Sequence, residues 1–428
     1  MIINKRNFMM GVLSFFILFT PLLKYYNFPG TSFSMETLML CLGLLFMLIA
    51  NNRYSPILRH RDIYELKPYF LMFAIVFILT FIFDFLVNDD NGQFYIVLAL
   101  AVSTLEIYCM QRFTTNNRDF FDSFKKIYIT VCVVLSFVTI AEEFLYLTTG
   151  MLIPMKFSFL PLNEEMAALG YRFGYNGRGG YVGFSPFFSE PAHMSQYMLP
   201  ALLLLLADEN KKHDRKNTIF MILIEVAIVL STSTYGILAS GVMIVFYLVI
   251  GKTNAAKRLR KIVLLFLPVM IIVFAYFIKG RLFYDTTSAT SIMSSDKTAY
   301  RLFRGFMYYA QFPFINKAFG VGFNNFTSFI QAHNLHYAYE IISDKVVSEY
   351  LNGFSQALIY GGIITFILFI VFLVRLYRNG TSESKTLVVG FILLMLNAST
   401  FLRGTSVFYI LIILMLKNQS LNNGKENV

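Results

Sequence analysis

By length alone the 428 residues would make about three soluble domains, but the chain is 57% hydrophobic and only 14% charged, against roughly 25% charge in soluble domains. With a mean hydropathy of +0.60 and no alternating barrel pattern, the composition excludes a soluble fold and leaves helices that satisfy their own backbone groups in lipid. The net charge of +11 raises a nucleic-acid partner, which the placement of that charge argues against.

Apolar runs fall near 8–23, 33–50, 68–87, 94–110, 127–147, 192–207, 218–232, 235–250, 262–278, 354–374, 386–401 and 404–416. They predict an all-α polytopic membrane protein of about twelve transmembrane helices, organised as a single transmembrane domain over 1–428. The first run follows Lys5 and Arg6 without a small-residue cleavage site, so it is expected to stay as a signal anchor. Lys and Arg gather in alternate connections, such as Arg53, Arg59, Arg61 and Lys67, or Lys252, Lys257, Arg258, Arg260 and Lys261. The intervening connections are short and nearly uncharged or acidic, except for two long ones at about 148–190 and 281–353. The positive-inside rule then puts both termini in the cytoplasm and both long loops outside. The basic surplus is a topology signal that also suits anionic membrane lipids, and no nucleic acid is expected.

Cys41, Cys109 and Cys132 lie inside apolar runs with no CxxC pair, which indicates neither a disulfide framework nor a thiolate metal site. The seventh and eighth runs are short and separated by Ser231-Thr232-Ser233-Thr234-Tyr235-Gly236. Such an interruption either lines a cavity or makes a tight helical hairpin.

The first long loop ends Tyr171-Arg172-Phe173-Gly174-Tyr175-Asn176-Gly177-Arg178-Gly179-Gly180-Tyr181-Val182-Gly183-Phe184 and then Ser189-Glu190-Pro191-Ala192-His193. Its glycines permit close backbone approach, and Arg172 and Arg178 each offer a planar fork to a phosphate or carboxylate. Its aromatics supply sugar-stacking faces or interfacial anchors. Ser189-Glu190-Pro191 reads as a helix start, so Glu190 is a cap on one reading. On the other, Glu190 and His193 share a face at the mouth of a span and Glu190 is a general base.

The second long loop holds Arg301 and Arg304, three apart in an expected helix over 299–311, where they either clamp a diphosphate or cover a solvated face. His333 and His336 lack a third ligand at a sensible spacing, so no metal is expected, and His333 reads as a hydrogen-bond donor or proton shuttle. Gly320-Val321-Gly322 lacks the strand-turn-helix setting of a nucleotide loop, and no cofactor is expected. Inside the runs, Asp84, Glu106 and Glu225 would suit a proton-coupled carrier or polar helix contacts.

Together these features resemble the Wzy-type O-antigen and capsule polysaccharide polymerases, relatives of the O-antigen ligases. The resemblance rests on the topology, on Arg178 with its glycines, on Phe188-Ser189-Glu190-Pro191-Ala192, and on Ser231-Thr232-Ser233-Thr234-Tyr235-Gly236. It rests further on Phe319-Gly320-Val321-Gly322-Phe323, His333-Asn334, Asn352-Gly353-Phe354 and Tyr360-Gly361-Gly362-Ile363. It implies a GT-C-like fold and a membrane glycosyltransferase of the bacterial plasma membrane that joins undecaprenyl-diphosphate-linked oligosaccharide repeat units outside the cell. A chain-length regulator and a flippase would be its partners. On this reading Glu190 is the base, with His193 and His333 assisting, and Arg172, Arg178, Arg301 and Arg304 hold diphosphate. The alternatives are an O-antigen ligase and a lipid-linked oligosaccharide flippase.

Overall fold

The computed structural model describes residues 5–31, 33–51, 60–83, 94–117, 119–153, 155–163, 173–178, 181–206, 215–251, 298–323, 325–335, 351–378 and 380–423. The expected run at 262–278 and Asp84, Arg172 and His336 lie outside the described residues, as do the side chains of Arg178 and Arg301. The helices are α1 (Lys5–Leu22), α2 (Met35–Asn51), α3 (His60–Ile82), α4 (Phe94–Asn116) and α5 (Phe120–Thr149). A hairpin β1 (Tyr175–Arg178) and β2 (Tyr181–Phe184) precedes α6 (Pro191–Leu206), α7 (Arg215–Leu230) and α8 (Thr234–Ile250). After these come α9 (Thr298–Gln311), α10 (Phe314–Phe319), α11 (Phe326–Ala332), α12 (Gly353–Arg378), α13 (Ser382–Asn397) and α14 (Gly404–Asn423).

Among the described residues three helical stretches, Tyr64–Ile82, Phe120–Thr149 and Gly353–Arg378, are long and apolar enough to cross a membrane, and Phe8–Leu22, Met35–Ile49, Thr234–Ile250 and Gly404–Gln419 are shorter apolar helices. The bundle is apolar outside as well as inside. Leu45, Ile78, Phe137, Ile222 and Ile367 are exposed, as lipid-facing side chains should be, because lipid does not penalise apolar surface. In the middle, α14 is buried along its length from Gly404 to Asn418, and its sequence is correspondingly apolar on every face. Around it the Tyr197 and Phe408 rings stack at 5.4 Å, the Tyr128 hydroxyl donates to the Tyr197 carbonyl, and the Tyr409 hydroxyl donates to the Gln196 carbonyl at 3.1 Å.

The two ends of the bundle differ. At one, Lys417 pairs with Glu65, Asn418 Nδ2 donates to Thr114 at 2.8 Å, and Arg375 donates to the Tyr64 carbonyl at 2.6 Å. The described parts of both long loops lie at the other, hereafter the loop end.

Two features depart from the sequence expectation. The all-α reading omits the antiparallel β1–β2 hairpin, in register from Tyr175 opposite Phe184 to Arg178 opposite Tyr181. Here aromatics alternating with glycines suit a pleated ribbon more than a coil. The tenth run is not one straight helix: Gly362, at φ 67° and ψ −170°, breaks α12. Of the two readings of 231–236, the hairpin holds. Thr232 takes φ 55°, and Ser233 Oγ caps α8 by accepting from Gly236 N–H at 3.0 Å.

Candidate functional site

The break in α12 explains the Gly-Val-Gly run. Interrupting a helix frees carbonyls that lipid cannot satisfy. Val321 N–H donates to the Ile359 carbonyl at 2.9 Å and Gly322 N–H to the Tyr360 carbonyl at 3.0 Å, so residues 319–323 plug the break. The fit needs glycine: Gly320 and Gly322 both have positive φ, and a Cβ on Gly320 would lie 2.5 Å from Gly361 N. Gly320 to Phe323 of the plug are buried, and Phe323 N–H donates to Thr80 Oγ1 of α3 at 2.7 Å. The glycines bring backbone to backbone rather than backbone to nucleotide.

Above the plug sits α9, the helix expected over 299–311. Gly305 lets it settle on α12, since a Cβ there would meet Ser355 Oγ at 2.2 Å. Arg304 is buried, not on a solvated face, with its guanidinium 5.6 Å from the Tyr308 ring and 5.9 Å from the Phe326 ring. His333 ends α11 as an exposed residue, its Nδ1 3.1 Å from the Phe329 carbonyl.

The first loop lies at the same end of the bundle. Its hairpin rests on the α7–α8 turn, where a Cβ on Gly183 would come 2.1 Å from the Ser231 carbonyl. That glycine therefore serves protein contact, not ligand approach. Helix α6 begins at Pro191 as its sequence predicts, and the Glu190 carbonyl accepts from His193 N–H at 3.0 Å. The half-buried Glu190 side chain takes no hydrogen bond among the described residues, so its carboxylate is not spent on capping. Next to it the hydroxyls of Tyr25 and Ser189 converge on His193 Nδ1, at 2.9 and 3.0 Å.

Sequence reading overlooked the short α1–α2 connection. Tyr25 fixes His193, and Tyr26 anchors the first long loop by accepting from Phe157 N–H at 3.2 Å. Burial pushes the Tyr26 phenol up to about 12, opposed by that hydrogen bond, so it stays neutral. Glu142 Oε1 accepts from Met155 N–H at 3.0 Å, and the Met155 carbonyl accepts from Phe187 N–H at 2.9 Å. Arg403, in the short turn before α14, lies 4.4 Å over the Phe323 ring of the plug. That turn is tied to α12 by Gln356, whose Oε1 accepts from Phe401 N–H at 3.0 Å. The signals for Tyr25, Tyr26 and Glu142 were available, as tyrosines and a carboxylate within a turn or two of the ends of the apolar runs.

Residues 219–370 match the Wzy_C family model, described as O-Antigen ligase. Over those residues the chain is similar to the Wzy/O-antigen ligase family. No curated protein matches the chain. The Wzy_C match takes in α7 through α11, the plug, Arg304, His333 and the break at Gly362; Glu190, His193 and Arg403 lie outside it. Family members are membrane glycosyltransferase-like enzymes, which agrees with an apolar helical bundle.

Proposed function

We propose that the chain polymerises undecaprenyl-diphosphate-linked oligosaccharide repeat units on the outer face of the bacterial plasma membrane. The observation that carries this reading is the Wzy_C match over a plugged, broken helix, at the same end of the bundle as a carboxylate held in a helix mouth. Glycosyl transfer needs a base for the acceptor hydroxyl and positive charge where the leaving group develops negative charge. Glu190 takes the proton, with His193 oriented beside it by Tyr25 and Ser189. The acceptor oxygen bonds to the anomeric carbon of the donor, and the anomeric C–O bond breaks with its electron pair passing to the diphosphate. Arg172, Arg178, Arg301 and Arg304 hold that diphosphate, and His333 supplies a further hydrogen bond from the second loop.

The description of the matched family favours a second reading, an O-antigen ligase, which performs the same bond change on a different acceptor. Glu225, which would suit a flippase, accepts from Ser240 at 2.9 Å through Oε1 and so bridges α7 and α8. Deleting the gene tests the reading. Single repeat units accumulating on the lipid carrier support a polymerase; long polymer accumulating on the carrier supports a ligase and overturns it.

A further inference from the structure

In a protein surrounded by water an amphipathic helix turns its apolar side to the core and its polar side outward, and α9 does the reverse. Its buried residues include Arg304, Gly305 and Tyr308, with the Arg304 guanidinium near the Tyr308 and Phe326 rings. Phe303, Met307 and Ala310, at helical spacing and so on one face, point away from the protein. Phe303 is 52% exposed, Ala310 is exposed and Met307 is half-buried. The short helix α10 continues the pattern. None of its residues is buried, although Phe314, Ile315, Ala318 and Phe319 make up most of it, and Phe314 is 86% and Ile315 71% exposed. The Tyr309 hydroxyl donates to the Lys317 carbonyl at 2.7 Å, which joins α9 and α10 into one unit. Helix α11 gives the contrast within the same loop. It buries Phe326, Phe329 and Ile330 and exposes Ser328 and Gln331, the orientation that water selects.

The place of α10 indicates what covers the apolar side. It is wedged onto the break in α12, where the Ala318 carbonyl oxygen and Phe319 N lie 2.2 and 2.5 Å from the position of a Cβ on Gly362. From the next residue onward α12 exposes Ile363, Ile364, Ile367 and Ile370, in a helix long and apolar enough to cross a membrane. The exposed Phe319 therefore adjoins a surface that lipid covers. Between Leu302 and Asn316 the sequence holds a single charged residue, Arg304, and it is buried. An uncharged apolar surface that runs into a lipid-facing one suits acyl chains, whereas a protein partner would be met by a polar rim.

We propose that α9 and α10 lie in the interface of the bilayer leaflet at the loop end, with Phe303, Phe314 and Ile315 among the phospholipid acyl chains. Helices of this kind sit roughly 5–10 Å into the boundary between headgroups and chains. The polar side of α9, with Arg304, is then turned toward the protein at headgroup height. The start of the second long loop is a membrane-surface element, not an aqueous segment. This rests on the chain being a membrane protein and does not depend on the glycosyl-transfer reading.

The chain contains no tryptophan, so a single introduced one reports on a single place. The test is the emission of Phe303→Trp and Phe314→Trp, each in the full chain in liposomes, with phosphatidylcholine brominated in its acyl chains or with iodide on both sides of the membrane. Both should lose most of their emission to the brominated lipid and little to iodide, as should Ile367→Trp, the lipid-facing reference. Gln331→Trp on α11 should respond to iodide and not to the lipid. Bromines near the headgroup end of the chains should quench positions 303 and 314 more than bromines near the methyl end; the opposite order overturns an interfacial placement. Iodide quenching without lipid quenching at either position also overturns it. So does protection from both quenchers, which means that a second copy or another part of the chain covers the face. Ile315→Trp takes the place of either variant that fails to fold.

Discussion

Replacing Gly362 by alanine tests whether the broken helix is a built feature. At φ 67° and ψ −170° the backbone is in a region that side chains avoid, at a cost on the order of 1–3 kcal/mol. The new Cβ would also come 2.2 Å from the Ala318 carbonyl oxygen and 2.5 Å from Phe319 N. Both are backbone atoms at the root of the plug, so relief requires the plug to move. Moving it weakens the hydrogen bonds from Val321 and Gly322, each contributing about 0.5–1.5 kcal/mol. Together these give a loss of about 2–6 kcal/mol. Gly241 is the matched control: it lies inside α8 with open space around its Cβ position, so alanine there should stabilise by about 1 kcal/mol through helix propensity. Reversible unfolding in mixed micelles, followed by far-ultraviolet circular dichroism, reads both. A Gly362→Ala protein within 1 kcal/mol of wild type would refute the claim that a glycine-only backbone and the plug hold each other in place.

Three further outcomes follow from the site. Glu190→Gln should insert and fold as wild type does yet make no polymer on glycan gels, whereas Arg304→Lys, which keeps the charge but loses the planar face against Tyr308 and Phe326, should retain a fraction; normal polymer from Glu190→Gln would remove that residue as the base. Thr80→Ala leaves the buried Phe323 N–H without its acceptor and should cost about 1–3 kcal/mol in the same unfolding experiment, while Thr80→Ser stays near wild type. Tyr25→Phe should change stability by only about 0.5–1.5 kcal/mol but slow single-turnover transfer, because His193 loses one of two hydroxyls that orient it; an unchanged rate would leave Tyr25 a packing residue.

What could be read from the sequence was whatever is local. Outside 262–278, each apolar run falls on a described helix, because each run must satisfy its own backbone in lipid. Ser189-Glu190-Pro191 foretold the start of α6, and the pattern at 299–311 foretold α9 with Arg304 upon it. What escaped was whatever depends on a distant partner. Gly361-Gly362 sits in an apolar run and looks like continuous helix, and only Val321 and Gly322, far back in the chain, make a break there tolerable. The Gly-Val-Gly run was noticed but had no visible partner for the same reason. Arg304 could not be told from a surface arginine without Tyr308 and Phe326 folded around it. Attention to long loops also hid Lys24 and Tyr25, which a short turn brings to the same end of the bundle.

The central claim is that this chain makes glycosidic bonds between lipid-linked units. The direct measurement is incubation of the purified protein, reconstituted in liposomes without any ion gradient, with undecaprenyl-diphosphate-linked repeat units, followed by separation of the glycans by size. The account predicts a ladder of longer glycans with release of undecaprenyl diphosphate, absent with Glu190→Gln. Units that cross the bilayer unaltered, with no ladder, would contradict it.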